Sequence, residues 1–316
     1  MEDGGDWMKF VKAITTVDAH MAGEPLRLIM NGVPLLQGNT LQEKQKELVE
    51  NYQTFRRILM QEPRGHAAMN GCMIIPPCSE KADFAALFMD ANEFISSIEE
   101  FVMIAAVVMV EMGNVQIKND VVVVETIDGI FFVKICIEDG DVHSVSLQKD
   151  CKYELQQDAS QSVVSFGSNE TYVLSHTKHL GVKLAMDEFI ELKSWAHTTR
   201  TSVSSECSSI LIDATQIEEK RFKTMLQKKN GLVSRAPYIR ATCACLALFR
   251  EEGMLQEGES VQHENITGGT YEAKLMECTE NSIMVQITGR VFITGMHQFL
   301  LDPSDPLAGG FIIVGS

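Results

Sequence analysis

The chain has 316 residues, 45% of them hydrophobic, and its 43 acidic against 27 basic side chains give a formal charge of -16. That much apolar material builds two domains or one large one and excludes a disordered chain. The acidic balance, with no cluster of Lys and Arg to neutralise phosphates, argues against nucleic acid and anionic membrane as partners.

The opening stretch MEDGGDWMKFVKA lacks the basic segment and apolar core of a secretory signal, so a cytoplasmic chain is expected. Eight scattered cysteines without a CxxC read as thiols in a reducing compartment, and neither a metal site, a disulfide framework nor a cofactor is expected. Residues 10–30 predict a strand, a turn around Ala22, Gly23, Glu24 and Pro25, and a second strand from Leu26 to Met30. Thr40 with Glu43 has the spacing of a capping box. The helix it opens carries Leu41, Leu48, Phe55 and Leu59 before Pro63 stops it. Phe84 and Leu87 to Met89 read as a strand.

Phe101 to Val110, FVMIAAVVMV, holds ten residues without a charge or a turn former. Ser97 and Glu100 offer a second capping box, and Gly113 a left-handed stop. A helix apolar on every side is surrounded by protein, and this one is too short for a bilayer, which needs about 20 residues. Its accessible parts are its ends, so function is sought at residues 97–101.

From Val121 the period changes. VVVVET, IFFVKICIE and VHSVSL are separated by Asp128-Gly129 and Asp139-Gly140, the signature of a meander, and a domain boundary is placed near its start. Asp187 to Trp195 reads as a short helix, Ile210 to Ile212 as a strand, and the charged stretch Lys220 to Asn230 as a solvated loop or helix. Pro237 opens a second apolar helix, YIRATCACLALFREEGML, ended by Gly253. Its echo of the first implies two pseudo-equivalent halves. Ser282 to Thr294 predicts strands, and the tail from Asp302 is turn-rich before a strand from Phe311 to Val314.

Four blocks in order then resemble the proline racemase superfamily, which includes proline racemases, hydroxyproline epimerases and trans-3-hydroxyproline dehydratases. They are VDAHMAGEP (17–25), EPRGHAAMNG (62–71), FGSNETYVL (166–174) and ITGRVFITGMHQFLLDPSDPLAGGF (287–311). The resemblance implies an α/β fold of two pseudo-symmetric halves, each a curled, mostly antiparallel sheet around a central helix, as in diaminopimelate epimerase. It places the active site in a cleft between them, at the N-termini of the central helices. The expected domains are 1–120 plus 297–316, with central helix 98–113, and 121–296, with central helix 238–253.

Racemisation at an α-carbon needs a base on one face and an acid on the other, and thiols serve when a helix N-terminus lowers their pKa. Backbone N–H groups at the same ends receive the substrate carboxylate. In the family the thiols lie in M-C-G-H and D-R-S-P-C-G-T-G, and dehydratases replace the second with Thr. Counting back from Gly113, the first motif falls on Ser97, Ile98, Glu99 and Glu100. Counting back from Gly253, the second falls on 234–241, SRAPYIRA, where Arg235 and Pro237 match but the thiol position is Tyr238. A family Asp falls on Val163. Both thiols are missing, at Ile98 and Tyr238.

Cys243 lies about 140° round the helix from Tyr238, and Cys245 roughly 10 Å further along the axis. Cys72, after the EPRGH block, stays open as a replacement. The family's substrate-binding positions carry Glu99, Glu100, Ile239 and Arg240. The two acids stabilise a helix N-terminus and oppose an incoming carboxylate. Arg240 is either a cation for that carboxylate or a solvated side chain. Plainer readings hold elsewhere: His20 and His66 as structural histidines, His176 and His179 as a pair without a third ligand, the serines from 202 to 209 as a loop, and the seventeen methionines as core filler. Tyr238, with an ordinary pKa near 10, is a poor base at neutral pH. The expectation is a catalytically inactive or repurposed family member that forms a homodimer. The alternative is an active racemase, epimerase or dehydratase acting on proline or hydroxyproline, an imino-acid carboxylate, through unidentified bases.

Overall fold

The computed structural model describes residues 13–158, 161–167, 170–302 and 304–313. The chain divides into two compact units. One comprises Pro25–Val145 with the described parts of Met1–His20 and Val291–Ser316, and the other comprises Met21–Glu24 and Ser146–Arg290. The change at 145/146 comes later than the expected 120/121, because Val121–Thr126 pairs in parallel with Phe84–Asp90 and so stays with the first unit.

The first unit begins with β1 (Ala13–Met21) and β2 (Glu24–Asn31). Ala22 (φ 51°) and Gly23 (φ 100°) make the expected turn between them. There follow α1 (Leu41–Asn51), α2 (Gln53–Met60), β3 (Asn70–Ile75), β4 (Phe84–Asp90), β5 (Phe94–Ile95), α3 (Glu99–Glu111), β6 (Val121–Thr126) and β7 (Gly129–Glu138), and the late strand β17 (Val291–Leu300) joins them. The Thr40 capping box forms: Thr40 Oγ1 accepts from Glu43 N at 3.2 Å, and Glu43 Oε2 accepts from Thr40 N at 3.3 Å. Tyr52 (φ -126°, ψ 26°) divides the expected single helix into α1 and α2. Leu41, Leu48, Phe55 and Leu59 are buried in one core with Met73, Leu87 and Met89 of β3 and β4.

β17 pairs with β1 and β1 with β2. Then β2 and β3 run parallel, β3 and β4 antiparallel, β4 and β6 parallel, β6 and β7 antiparallel. The sheet is mixed, with parallel pairs among the antiparallel ones. α3 touches β17 at one end of this order and β6 and β7 at the other, so the sheet curls round it. Eleven of its thirteen residues are buried, from Glu99 to Met109. The helix starts after Ile98 with no side-chain cap, so the capping box expected at Ser97 and Glu100 does not form. Ser97 N–H is held by Asp128 Oδ2 at 2.6 Å, which keeps that residue in the preceding loop. Each buried Val, Ile, Met or Phe is worth about 1.5–3 kcal/mol, so packing outweighs a missing cap of about 1 kcal/mol.

The second unit contains the end of β8 (Asp141–Lys152), then β9 (Glu154–Gln157), β10 (Ser162–Phe166), β11 (Glu170–His176), α4 (Thr177–Leu180), α5 (Phe189–Val203), β12 (Ser208–Asp213), β13 (Arg221–Gln227), α6 (Ile239–Glu251), β14 (Ser260–Asn265), β15 (Thr270–Thr279) and β16 (Ser282–Gly289). Its pairings repeat those of the first: β11 and β12 parallel, β12 and β13 antiparallel, β13 and β14 parallel, β14 and β15 antiparallel. Helices fill the same gaps, α4 and α5 where α1 and α2 stand, and α6 where α3 stands. α6 touches β10, β11 and β16, so this sheet also wraps its helix. α3 and α6 each have thirteen residues, and their positions correspond at a spacing of 140, from Ile98 and Tyr238 before the first turns to Glu111 and Glu251 in the last. Gly113 and Gly253 end them, both at φ 71°. The order of parallel and antiparallel pairings thus recurs from one unit to the other, and the spacing of 140 holds through the two central helices.

Three other expectations need correction. The stretch Lys220 to Asn230 is not a solvated loop or helix. It contains β13, whose Phe222, Thr224, Met225, Leu226 and Gln227 are buried, with Arg221 and Lys223 alternating outward. α5 runs on to Val203, and Ser208 and Ser209 begin β12, so the serine-rich segment is a loop only between them. Phe311 makes a single bridge to Glu62 rather than opening a strand, and Val314 lies outside the described residues.

Candidate functional site at two helix N-termini

In the first unit the N-terminus of α3 presents Ile98 in extended conformation (φ -115°, ψ 126°), followed by Glu99 and Glu100. Both acids are enclosed, at 3% and 1% exposure. They stand where the helix dipole favours a negative group, the place a bound anion would take. The Ser97 hydroxyl is buried there without a hydrogen-bond partner. Ile98 has no group able to carry a proton.

In the second unit Tyr238 precedes α6 at φ 67°, ψ 116°, a conformation that side chains other than glycine's rarely adopt. Its carbonyl accepts from Thr242 N at 2.8 Å and from Thr242 Oγ1 at 3.1 Å. The Lys228 ammonium stands 4.9 Å from the centre of its ring and 4.0 Å from Glu24 Oε1. Arg240 is partly buried and ion-paired, with Glu170 Oε2 at 3.1 Å. Tyr172 donates to the other Glu170 oxygen at 2.5 Å. Burial, then the nearby Tyr238 and Glu170, push the Tyr172 phenol well above its ordinary pKa. Lys228 and Arg240 therefore each face a carboxylate of the same chain. Ile239 is fully buried in the first turn.

Beneath that turn lies a polar chain. Thr242 Oγ1 contacts His263 Nδ1 at 2.8 Å, and Thr224 Oγ1 contacts His263 Nε2 at 2.7 Å. A neutral imidazole carries one proton, so one ring nitrogen donates to its threonine hydroxyl and the other accepts from the facing one. Complete burial lowers the His263 pKa to about 3, which keeps the ring neutral. The signal for this residue was strand alternation, since Val261, His263 and Asn265 are the buried residues of β14. Glu170, Tyr172 and Lys228 carry no comparable signal.

The other sequence candidates lie elsewhere. Val163 sits in β10, paired with Val173. Cys72, Cys243 and Cys245 are wholly buried, and burial raises the Cys72 and Cys245 thiols far above their ordinary pKa. None of the eight cysteines forms a disulfide. His20 stacks on Phe292 at 5.4 Å, and His66 Nδ1 accepts from Ala68 N at 3.2 Å. The EPRGH block holds its own neighbourhood, with Arg64 donating to Ile58 O at 3.0 Å and Ala308 O at 2.5 Å. His176 and His179 are 6.0 Å apart, and among the described residues no three His, Cys, Asp or Glu side chains are grouped to hold a metal. Among them, too, no helix is long and apolar enough to cross a membrane.

The AGEP turn explains itself. A Cβ on Gly23 would stand 2.7 Å from Arg235 O, at a φ that disfavours one anyway. Glu24 Oε2 then accepts Arg235 N–H at 3.2 Å, which fixes the segment leading to Tyr238.

Comparisons with known proteins agree with this architecture. A solved hydroxyproline epimerase from Agrobacterium vitis, with bound trans-4-hydroxy-L-proline, superposes with a TM-score of 0.79 over 98% of this chain and 97% of that one, at 21% identity. A phenazine biosynthesis protein of the PhzF family from Bacillus anthracis shares the fold at a TM-score of 0.64 and 12% identity, over 92% of this chain and all of that one. In sequence, the chain is 31% identical to a proline racemase from Acetoanaerobium sticklandii, over 97% of its own length and the whole of the relative. It is 29% identical, with the same coverage, to a trans-3-hydroxy-L-proline dehydratase from Bacillus thuringiensis. The family described as proline racemase matches residues 16–312. This chain therefore belongs to the proline racemase family.

Proposed function

We propose that this chain is a proline racemase family member without the family's pair of thiols, catalytically inactive or turned to another use. The observation that carries the reading is the residue before each central helix. Ile98 and Tyr238 stand at corresponding positions, 140 residues apart, where the resemblance expects cysteine. Two further features support it. The cations near Tyr238 are engaged by Glu24 and Glu170, and acids fill the first turn of α3. No wholly buried thiol offers a substitute, because burial disfavours the thiolate that would act as base.

The alternative, an active enzyme on proline or hydroxyproline, has one specific feature in its favour: Tyr238 places an ionisable phenol before α6 with an ammonium 4.9 Å from the ring centre. Proton NMR in deuterium oxide separates the two readings, with L-proline, trans-4-hydroxy-L-proline and trans-3-hydroxy-L-proline incubated in parallel. The expected outcome is no protein-dependent deuterium at the α-carbon and no dehydration of the 3-hydroxy compound. Incorporation with any of the three overturns the proposal, and Tyr238→Phe and Cys72→Ser then identify the base.

A further inference from the structure

The second unit carries a cavity of about 600 Å³ that the helix N-termini do not explain. It lies at the Arg221 end of β13, whereas Tyr238 follows the Gln227 end, about 20 Å further along at the rise of a strand. Four cations line it, Lys178, Lys183, Arg221 and Lys223, against two acids, Asp213 and Glu264. Both acids are occupied. Asp213 Oδ1 accepts from Thr215 N at 3.0 Å and Thr215 Oγ1 at 2.7 Å, and Glu264 holds Lys223 at 2.9 Å. Among the described residues no carboxylate lies within ion-pair distance of Lys178, Lys183 or Arg221.

Three unpaired cations around one hollow repel one another, and they stand together in a chain whose formal charge is -16. The wall beside them is apolar at Val182, Leu184 and Phe222, and the Gln216 and Gln262 carboxamides add donors. A concave, partly apolar site with a few converging polar groups, within the volume range of about 300–1,000 Å³, is the form of a small-molecule site. We propose that this cavity binds a small organic polyanion, one with two or more phosphate or carboxylate charges directed at Lys178, Lys183 and Arg221 and an apolar body against Leu184 and Phe222. The site is independent of the catalytic question.

Isothermal titration with pyrophosphate, citrate and ATP, each at 50 mM and 300 mM NaCl, tests it. Pyrophosphate and citrate distinguish phosphate from carboxylate, and ATP adds an apolar body. At least one probe should saturate at one site per chain, and weaken at the higher salt as screening requires. The triple variant Lys178→Gln, Lys183→Gln, Arg221→Gln should lose about tenfold or more in affinity. The pair Lys228→Gln, Arg240→Gln, which removes cations elsewhere in the unit, should not. Amide shifts in the unaltered protein, expected at 177–185 and 221–223, give the same answer if the triple variant misfolds. Absence of saturable binding by all three probes, binding that survives the triple variant, or shifts centred elsewhere overturns the proposal.

Discussion

His263 stores a pH dependence. In the folded chain it takes a proton only near pH 3, whereas an unfolded histidine takes one near pH 6.5. Its contribution to stability is therefore complete above pH 6.5 and is lost progressively as the pH falls from 6.5 toward 3. Between pH 7.5 and pH 5 the loss is about 2 kcal/mol. Urea unfolding at those two values, on the protein and on His263→Gln, isolates the effect, and the difference between them should shrink by that amount at pH 5. At this scale the sequence was partly legible. Ile98 and Tyr238 could be placed by counting from the glycines that end their helices, because a helix has a fixed rise and the stops are local. The engagement of Arg240 by Glu170 could not, since a contact across 70 residues leaves no local mark.

Two segments share the spacing of a capping box, Thr40 with Glu43 and Ser97 with Glu100, and only the first forms it. Thr40→Ala should cost about 1 kcal/mol. Ser97→Ala should not destabilise the protein, because its hydroxyl is buried without a partner and its removal takes away an unsatisfied polar group. Thermal unfolding of the two variants side by side reads the contrast. The spacing is necessary for a capping box and not sufficient: Asp128, brought in by the β6 to β7 turn, takes the Ser97 N–H first. β13 shows the reverse failure. Its Arg and Lys residues obscured a strand, yet Arg221, Lys223 and the buried residues between them keep period two at its start. The sheet neighbours on both sides, β12 and β14, decide in favour of the strand.

The whole molecule was the most legible level. Two apolar helices of similar length, each after a strand and closed by glycine, suggested a repeat, and the same order of strand pairings recurs in both units. The boundary between units was less so, because it depends on a parallel pairing between β4 and β6 across an intervening helix. The repeat also makes the missing chemistry double. Replacing both Ile98 and Tyr238 by cysteine should give no measurable racemisation of L-proline by polarimetry, because Glu99 and Glu100 still occupy the turn that would receive the carboxylate. Activity in that variant would count against the proposed function. The turn Met21–Glu24 has one more consequence. It belongs to the unit otherwise built from Ser146–Arg290, and its Glu24 meets Arg235 across 211 residues. These four residues wait for a partner segment more than 200 positions later in the chain, while the other unit waits for β17. Neither unit has all its strands until those distant segments have been made, so folding is governed by long-range closures rather than by one contiguous domain at a time.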